Sequence, residues 1–285
     1  MKRLTLLVGK KTTHYFVRWQ PLHWAEYTAE LVGTVFNIFV GLSAVVFDFG
    51  QGLPMEHLIP NYSTRLLITG LIFSGSGALI AISPLGKLSG AHINPSVTLA
   101  FWAHGKMHRQ DAVGYIIAQF LGAILGAILL VLVWGKYAGT VYNGMTRPGA
   151  GYALWFVFLT EVFMTFLLVL SIFQFVSNHR LIRRTPLMTW LLVAAMVWLG
   201  APISGTSLNS ARSIGPALVT GLWRDQWLYC IAPPLGALLA VAMFRLLSMG
   251  KRDVLSCKLF HVPHYRSIFK NVRGSNQFLR SHREF

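Results

Sequence analysis

Two asparagines open short stretches that repeat one another. Asn94 leads Asn94-Pro95-Ser96 within SGAHINPSVTLA, and Asn209 leads Asn209-Ser210-Ala211 within SGTSLNSARSIG. Asn is a strong helix N-cap, and Pro is favoured at the first helical position. The spacing therefore predicts a short helix from Asn94 to about Ala103 and a second one from Asn209. A capping Asn uses its side-chain carbonyl and leaves its NH₂ to donate to a passing oxygen. Arg212 follows three residues after Asn209, inside an apolar stretch, where a cation is costly and functional by default. The alternative is an Arg that snorkels to the surface or pairs with a loop acid. Glu30 and Glu161 also fall within apolar runs, and a buried carboxylate needs partners. Backbone N–H groups before the two short helices are the expected donors, with proton coupling as the other reading. No nucleophile with a base, metal cluster or phosphate loop accompanies them, so no enzyme, cofactor or metal is expected. His92, beside the first motif, has no second ligand spaced for it and reads as a structural donor.

The elements that must hold these residues are membrane helices. The chain has 285 residues, 54% hydrophobic and only 12% charged, where a soluble domain carries about 25% charged residues. Apolar runs cover 25–46, 66–85, 112–134, 152–176, 187–203 and 227–247. A bilayer core takes about 20 apolar helical residues, so six spans are expected. The net charge of +16 is placed in alternate segments. Lys2, Arg3, Lys10, Lys11 and Arg18 precede span one. Lys106 and Arg109 follow span two, and Arg180, Arg183 and Arg184 follow span four. Lys251, Arg252, Lys258, Arg266, Lys270, Arg273, Arg280 and Arg283 follow span six. The positive-inside rule then puts both termini in the cytoplasm of a cell (plasma or inner) membrane. That distribution argues for lipid and against nucleic acid as a partner. The basic stretch from Lys251 reads either as an amphipathic helix on anionic lipid or as a loose cytoplasmic tail. Cys230 and Cys257 suggest no disulfide; Cys257 is an inert thiol or a palmitoylation site.

The chain also repeats itself as a whole. YIIAQFLGAILG from Tyr115 matches YCIAPPLGALLA from Tyr229, and AELVGT with Glu30 matches TEVFMT with Glu161. Each repeat holds three spans and one Asn motif. An odd span count forces the second copy in from the opposite side, as an inverted repeat with its axis in the membrane plane. The organisation read from the sequence is a basic tail over 1–24, a first repeat over 25–135 and a connecting loop over 136–151. A second repeat over 152–249 and a basic tail over 250–285 complete it. The expected fold class is an all-α membrane protein with six transmembrane helices and two half-membrane re-entrant helices. The short helices meet N-terminus to N-terminus, and their positive ends oppose cations and protons while admitting a neutral hydroxyl compound.

At the paired Asn boxes the chain resembles the aquaporin, or major intrinsic protein, family, over about Glu26 to Met249. The resemblance implies a homotetramer with one pore per subunit, passing water or small neutral solutes passively. It makes Asn94, Pro95, Ser96, Asn209, Ser210 and Ala211 the pore centre, and Arg212 the fixed cation of an outer constriction. The boxes depart from the family's Asn-Pro-Ala in having Ser96 and Ser210; loss of the second Pro frees one backbone N–H. The companions of Arg212, counted back from the two Asn residues, are Ser74, Val197 and Thr206. Water-selective members are similar to one another in carrying an aromatic and a His where this chain has Ser74 and Val197. A wider, less polar filter is therefore expected, suited to glycerol- or urea-like solutes; a register slip of one residue would instead put Phe73 in the pore and narrow it. Ser213, where the glycerol branch has Asp, leaves the substrate mixed. The other function class is a proton-coupled secondary transporter on the same inverted repeat, which needs a titratable group at the midplane.

Overall fold

A computed structural model describes residues 22–248, 253–262 and 267–271. Lys2, Arg3, Lys10, Lys11, Arg18, Lys251, Arg252, Arg266, Arg273, Arg280, Arg283 and the Lys270 side chain, with most of both basic tails, lie outside the described residues. Among those described, the chain is helical without strands. Six long helices are α1 (Trp24–Phe49), α2 (Tyr62–Ile82), α4 (Arg109–Trp134), α5 (Leu154–Val176), α6 (Thr185–Ser204) and α8 (Gln226–Ser248). Each is long and apolar enough to cross a bilayer. Between them lie two short helices, α3 (Pro95–Ala103) and α7 (Ser210–Thr220). Nine residues at about 1.5 Å each carry α3 roughly halfway through the hydrocarbon.

Local signals account for the breaks. Asn61 starts α2 by accepting from Thr64 N, and Ser83 ends it while capping the short helix Pro84–Ser89. Gly90 stops that helix at φ 102°, and Gly205 stops α6 at φ 76°, conformations that cost a residue with a Cβ. Beyond each glycine the backbone runs irregularly at membrane depth, which is tolerable only where protein buries it or it lines a wet cavity.

Packing follows the repeat. In the first half α1 packs on α2 and α4; in the second α5 packs on α6 and α8. The halves then interlock: α3 packs against α8, α7 against α4, and α2 against α6. Small residues allow the close approaches. A Cβ on Gly122 would fall 2.6 Å from Leu31 O, and one on the pseudo-equivalent Gly236 would fall 2.3 Å from Val162 O. Outward faces carry exposed Leu, Val and aromatic side chains such as Leu132, Leu246 and Phe163, the surface a bilayer solvates. At the termini-bearing face Asp111 is held inside: it accepts from Tyr27 Oη and lies 2.7 Å from His23 Nδ1.

Because the α5–α8 contact has no room for a side chain, Gly236→Leu should destabilise the protein by about 1–3 kcal/mol or more. Gly139, with nothing within 4 Å of a Cβ, should accept Ala without loss. Thermal unfolding of the purified variants in detergent checks both.

Candidate pore

A buried carboxylate accepts hydrogen bonds from each irregular stretch. Glu30 accepts from Ser89 Oγ (2.7 Å), His92 N (3.0 Å) and Ile93 N (2.7 Å). Glu161 accepts from Ser204 Oγ (2.7 Å), Ser207 N (2.8 Å) and Leu208 N (3.0 Å). Tyr115 Oη donates to Ser89 O at 2.6 Å, and Tyr229 Oη to Ser204 O at 2.7 Å. The tyrosines that revealed the repeat thus brace equivalent carbonyls. Ala91 and Ile93 have φ of 55° and 41°; Thr206 and Leu208 have 47° and 55°. Left-handed backbone at such residues costs about 1–3 kcal/mol each and persists only when its surroundings impose it. The carboxylates impose it by drawing the N–H groups of 92–93 and 207–208 away from the cavity.

The two asparagines meet across the repeat. Asn94 Oδ1 caps α3 by accepting from Ser96 N at 2.8 Å; Asn209 Oδ1 caps α7 through Ala211 N at 3.0 Å and Arg212 N at 3.3 Å. So α7 forms despite Ser210 in place of Pro. The NH₂ groups are not wholly free. Asn94 Nδ2 donates to Leu208 O, and Asn209 Nδ2 donates to Ile93 O, both at 2.9 Å. Each amide keeps one further hydrogen, and both side chains lie on the wall of a cavity of about 360 Å³ between the halves. Val97 and Arg212, three residues on from each Asn, share that wall. Pro95, Ser96, Ser210 and Ala211 do not; they are buried behind it, and the Ser96 and Ser210 hydroxyls have no hydrogen-bond partner among the described residues.

Toward the face away from the termini, the cavity passes Arg212, Phe73, Ser74, Val197 and Thr206. Arg212 is held by Gly144 O, 2.8 Å from Nη1, and its guanidinium carbon lies 5.3 Å from the centre of the Phe73 ring. Ser74 lies on the wall but spends its hydroxyl on Gly70 O (2.6 Å) and Trp190 O (2.9 Å). The ring beside the Arg therefore comes from one residue earlier than the count from Asn94 indicates. Gly41 makes this possible, since a Cβ there would fall 2.4 Å from the Phe73 ring; Asn37 Nδ2 also fixes Phe73 O at 3.1 Å. Thr206 Oγ1 donates to Met196 O at 3.2 Å.

Gln119 and the connecting-loop residues of the cavity wall were not singled out from the sequence. Gln119 Nε2 donates to Glu30 Oε2 at 2.8 Å and to Thr98 Oγ1 at 3.0 Å; the pseudo-equivalent residue near Glu161 is Pro233. Gly144, Met145 and Arg147 of the connecting loop line the cavity, and Ser213 Oγ holds the loop through Thr146 Oγ1 at 2.7 Å. The repeated Ser-Gly pairs, Ser89-Gly90 and Ser204-Gly205, were a legible signal for the clamps; nothing local marks Gly144. His92 lies 3.1 Å from Thr98 Oγ1 through Nδ1 and 2.7 Å from Cys257 O through Nε2. Replacing Glu161 by Gln puts an NH₂ where donors converge. We expect E161Q to lose about 1–3 kcal/mol of stability and water conduction with it, read by thermal unfolding and by proteoliposome shrinkage.

Residues 18–244 match the family described as Major intrinsic protein. The chain is 37% identical over 237 residues to aquaporin AqpM of Methanothermobacter marburgensis, covering 77% of this chain and 96% of that one. It is 34% identical over 232 residues to aquaporin Z of Rhodopseudomonas palustris, covering 78% and 93%. Its fold is similar to that of the aquaglyceroporin from Plasmodium falciparum, with a TM-score of 0.65 at 20% identity, covering 78% of this chain and 95% of that one. With its clamped half-helices, crossed asparagines and guanidinium-walled cavity, the chain belongs to the major intrinsic protein, or aquaporin, family of membrane channels.

Proposed function

We propose that this passive channel for water and small uncharged solutes sorts its cargo at a constriction of Phe73, Val197, Thr206 and Arg212, with Asn94 and Asn209 as the pore centre. The observation that carries the reading is the Phe73 ring lying against the Arg212 guanidinium on the cavity wall. Such a wall is two-natured. The guanidinium supplies N–H donors to a solute oxygen, while Phe73 and Val197 offer apolar surface to its carbons. Water satisfies the donors alone; a glycerol- or urea-like solute uses both surfaces. A cation meets Arg212 first, and then the positive ends of α3 and α7, each equivalent to about half an elementary charge. Neither Asn titrates, which leaves a proton-coupled transporter without its coupling group.

The basic residues on the termini-bearing face favour a cytoplasmic location for both termini, in a plasma or inner membrane. Membership of the family and the broad apolar outer surface support a homotetramer. The repeats are proposed to span 25–135 and 152–249, joined by 136–151 and flanked by tails over 1–24 and 250–285.

Stopped-flow light scattering on proteoliposomes tests the filter, with osmotic shrinkage and glycerol or urea influx read in parallel. Phe73→Ala should raise solute influx several-fold relative to water, and Val197→His should lower it while water still passes. Ser74→Ala should change neither, since that hydroxyl is bonded to backbone. A Phe73→Ala channel with unaltered solute-to-water ratio would remove Phe73 from the filter.

A further inference from the structure

Toward the termini-bearing face the cavity is lined by residues from several separate segments. Its wall there is formed by Ala91, His92, Leu168, Ile172, Val193 and Leu259. The first five belong to the half-helix approach and to spans. Leu259 belongs to the segment after α8, which the sequence suggested was a loose tail or a lipid-surface helix. The described part is neither: residues 253–262 run as irregular backbone against the base of the bundle. Leu255 N donates to Val176 O at 3.1 Å, and Leu259 N donates to Gly90 O at 3.0 Å. Cys257 O accepts at His92 Nε2, its thiol donates to Lys106 O at 3.1 Å, and Lys258 Nζ donates to Lys87 O at 2.5 Å. Asp253 pairs with Lys106 and lies 3.5 Å from His104 Nε2. Val254, Cys257 and Leu259 are all buried.

The pseudo-symmetry gives this segment a counterpart. A Cβ on Gly90 would meet Cys257 O at 2.9 Å; one on the equivalent Gly205 would meet Arg147 N at 3.0 Å. So the post-α8 segment occupies, at one mouth, the place that the connecting loop occupies at the other. The two differ in attachment. The connecting loop is tied to a span at each end and delivers Gly144 O to Arg212. The segment over 253–259 follows a span at one end, and its hold is a handful of backbone bonds, the Asp253–Lys106 pair, a few apolar side chains and, further along the chain, Ile268 and Phe269, which are buried with the Phe269 ring stacked 6.2 Å from that of His92. Such units open at far lower free energy than the core.

We propose that residues 253–259 form a strap that seats Leu259 in the inner mouth of the pore and throttles conduction until it is released. The strap takes two things from the pore. It places an apolar side chain on the cavity wall where a permeating molecule would otherwise find open water. It also occupies Gly90 O, a carbonyl at the start of the irregular stretch. A hydrophobic constriction gates by withholding water from the narrow place. The proposal rests on the chain being a pore; it adds where that pore is controlled. Cys257 reports the state of the strap, because burial raises its thiol well above the ordinary cysteine range while seated and release exposes it.

The full chain carrying C230S, reconstituted in liposomes, provides the test through two readouts: water permeability by stopped flow and Cys257 labelling by a membrane-permeant maleimide. Leu259→Ala should raise permeability several-fold while Cys257 stays protected, because the backbone anchors remain. Asp253→Arg, which sets like charges against Lys106, should raise both permeability and labelling. Permeability in L259A equal to that of the parent would overturn the strap, as would D253R that exposes Cys257 without added flux. Permeability at the empty-liposome level in the parent and both variants would instead count against the pore itself, and the strap with it.

Discussion

Everything at the pore depends on two buried carboxylates that turn backbone N–H groups aside. Without a water-filled exterior, each unsatisfied backbone group in the hydrocarbon costs several kcal/mol. A free carboxylate there costs more. Glu30 and Glu161 solve both problems at once, each absorbing two backbone N–H groups and a Ser hydroxyl. With the donors turned inward, the strips Ala91–Ile93 and Gly205–Leu208 can lie along the cavity wall. Left-handed residues, otherwise costly at Ile93 and Leu208, become the conformation that satisfies the most groups. The half-helices start where the clamps end, so their N-termini are aimed by the same interaction.

The crossed amides complete this arrangement. Each Asn caps its own helix with oxygen and ties down the opposite strip with nitrogen. The halves are thereby locked at the point where their positive ends meet. That accounts for tolerance of Ser210. The cap on α7 takes hold through Asn209 Oδ1, which reaches two N–H groups, so the preset φ of a proline is dispensable. The halves nonetheless differ in their supporting contacts. Gln119 braces Glu30, whereas proline stands at the matching place near Glu161, and the cavity-wall cation Arg212 belongs to the second half, where the first has Val97.

How much of this was legible depended on whether the governing signal was periodic or three-dimensional. Span number, the half-helices from Asn94 and Asn209, and the carboxylate clamps all leave marks at fixed spacing in both repeats. Span ends moved by a few residues because caps such as Asn61 lie outside the apolar run. The aromatic ring beside Arg212 was harder to place. One residue turns a helix by about 100°, so a count from Asn94 lands on Ser74 although the ring at the guanidinium is Phe73. What decides between them is Gly41, on another helix, whose missing side chain leaves room for the ring. Gly144 and the strap residues were invisible for a related reason: their contacts reach across 68 and 165 residues, and a loop with no periodicity announces no partner.

The central claim is that converging helix ends and Arg212 admit neutral molecules while holding back charge. Its most direct test is parallel measurement of water permeability and proton leak in the same proteoliposomes, under an osmotic and then a pH gradient. The account predicts water permeability above that of empty liposomes, with proton leak indistinguishable from theirs. A proton leak that rises with the amount of protein, in step with water flux, would contradict it.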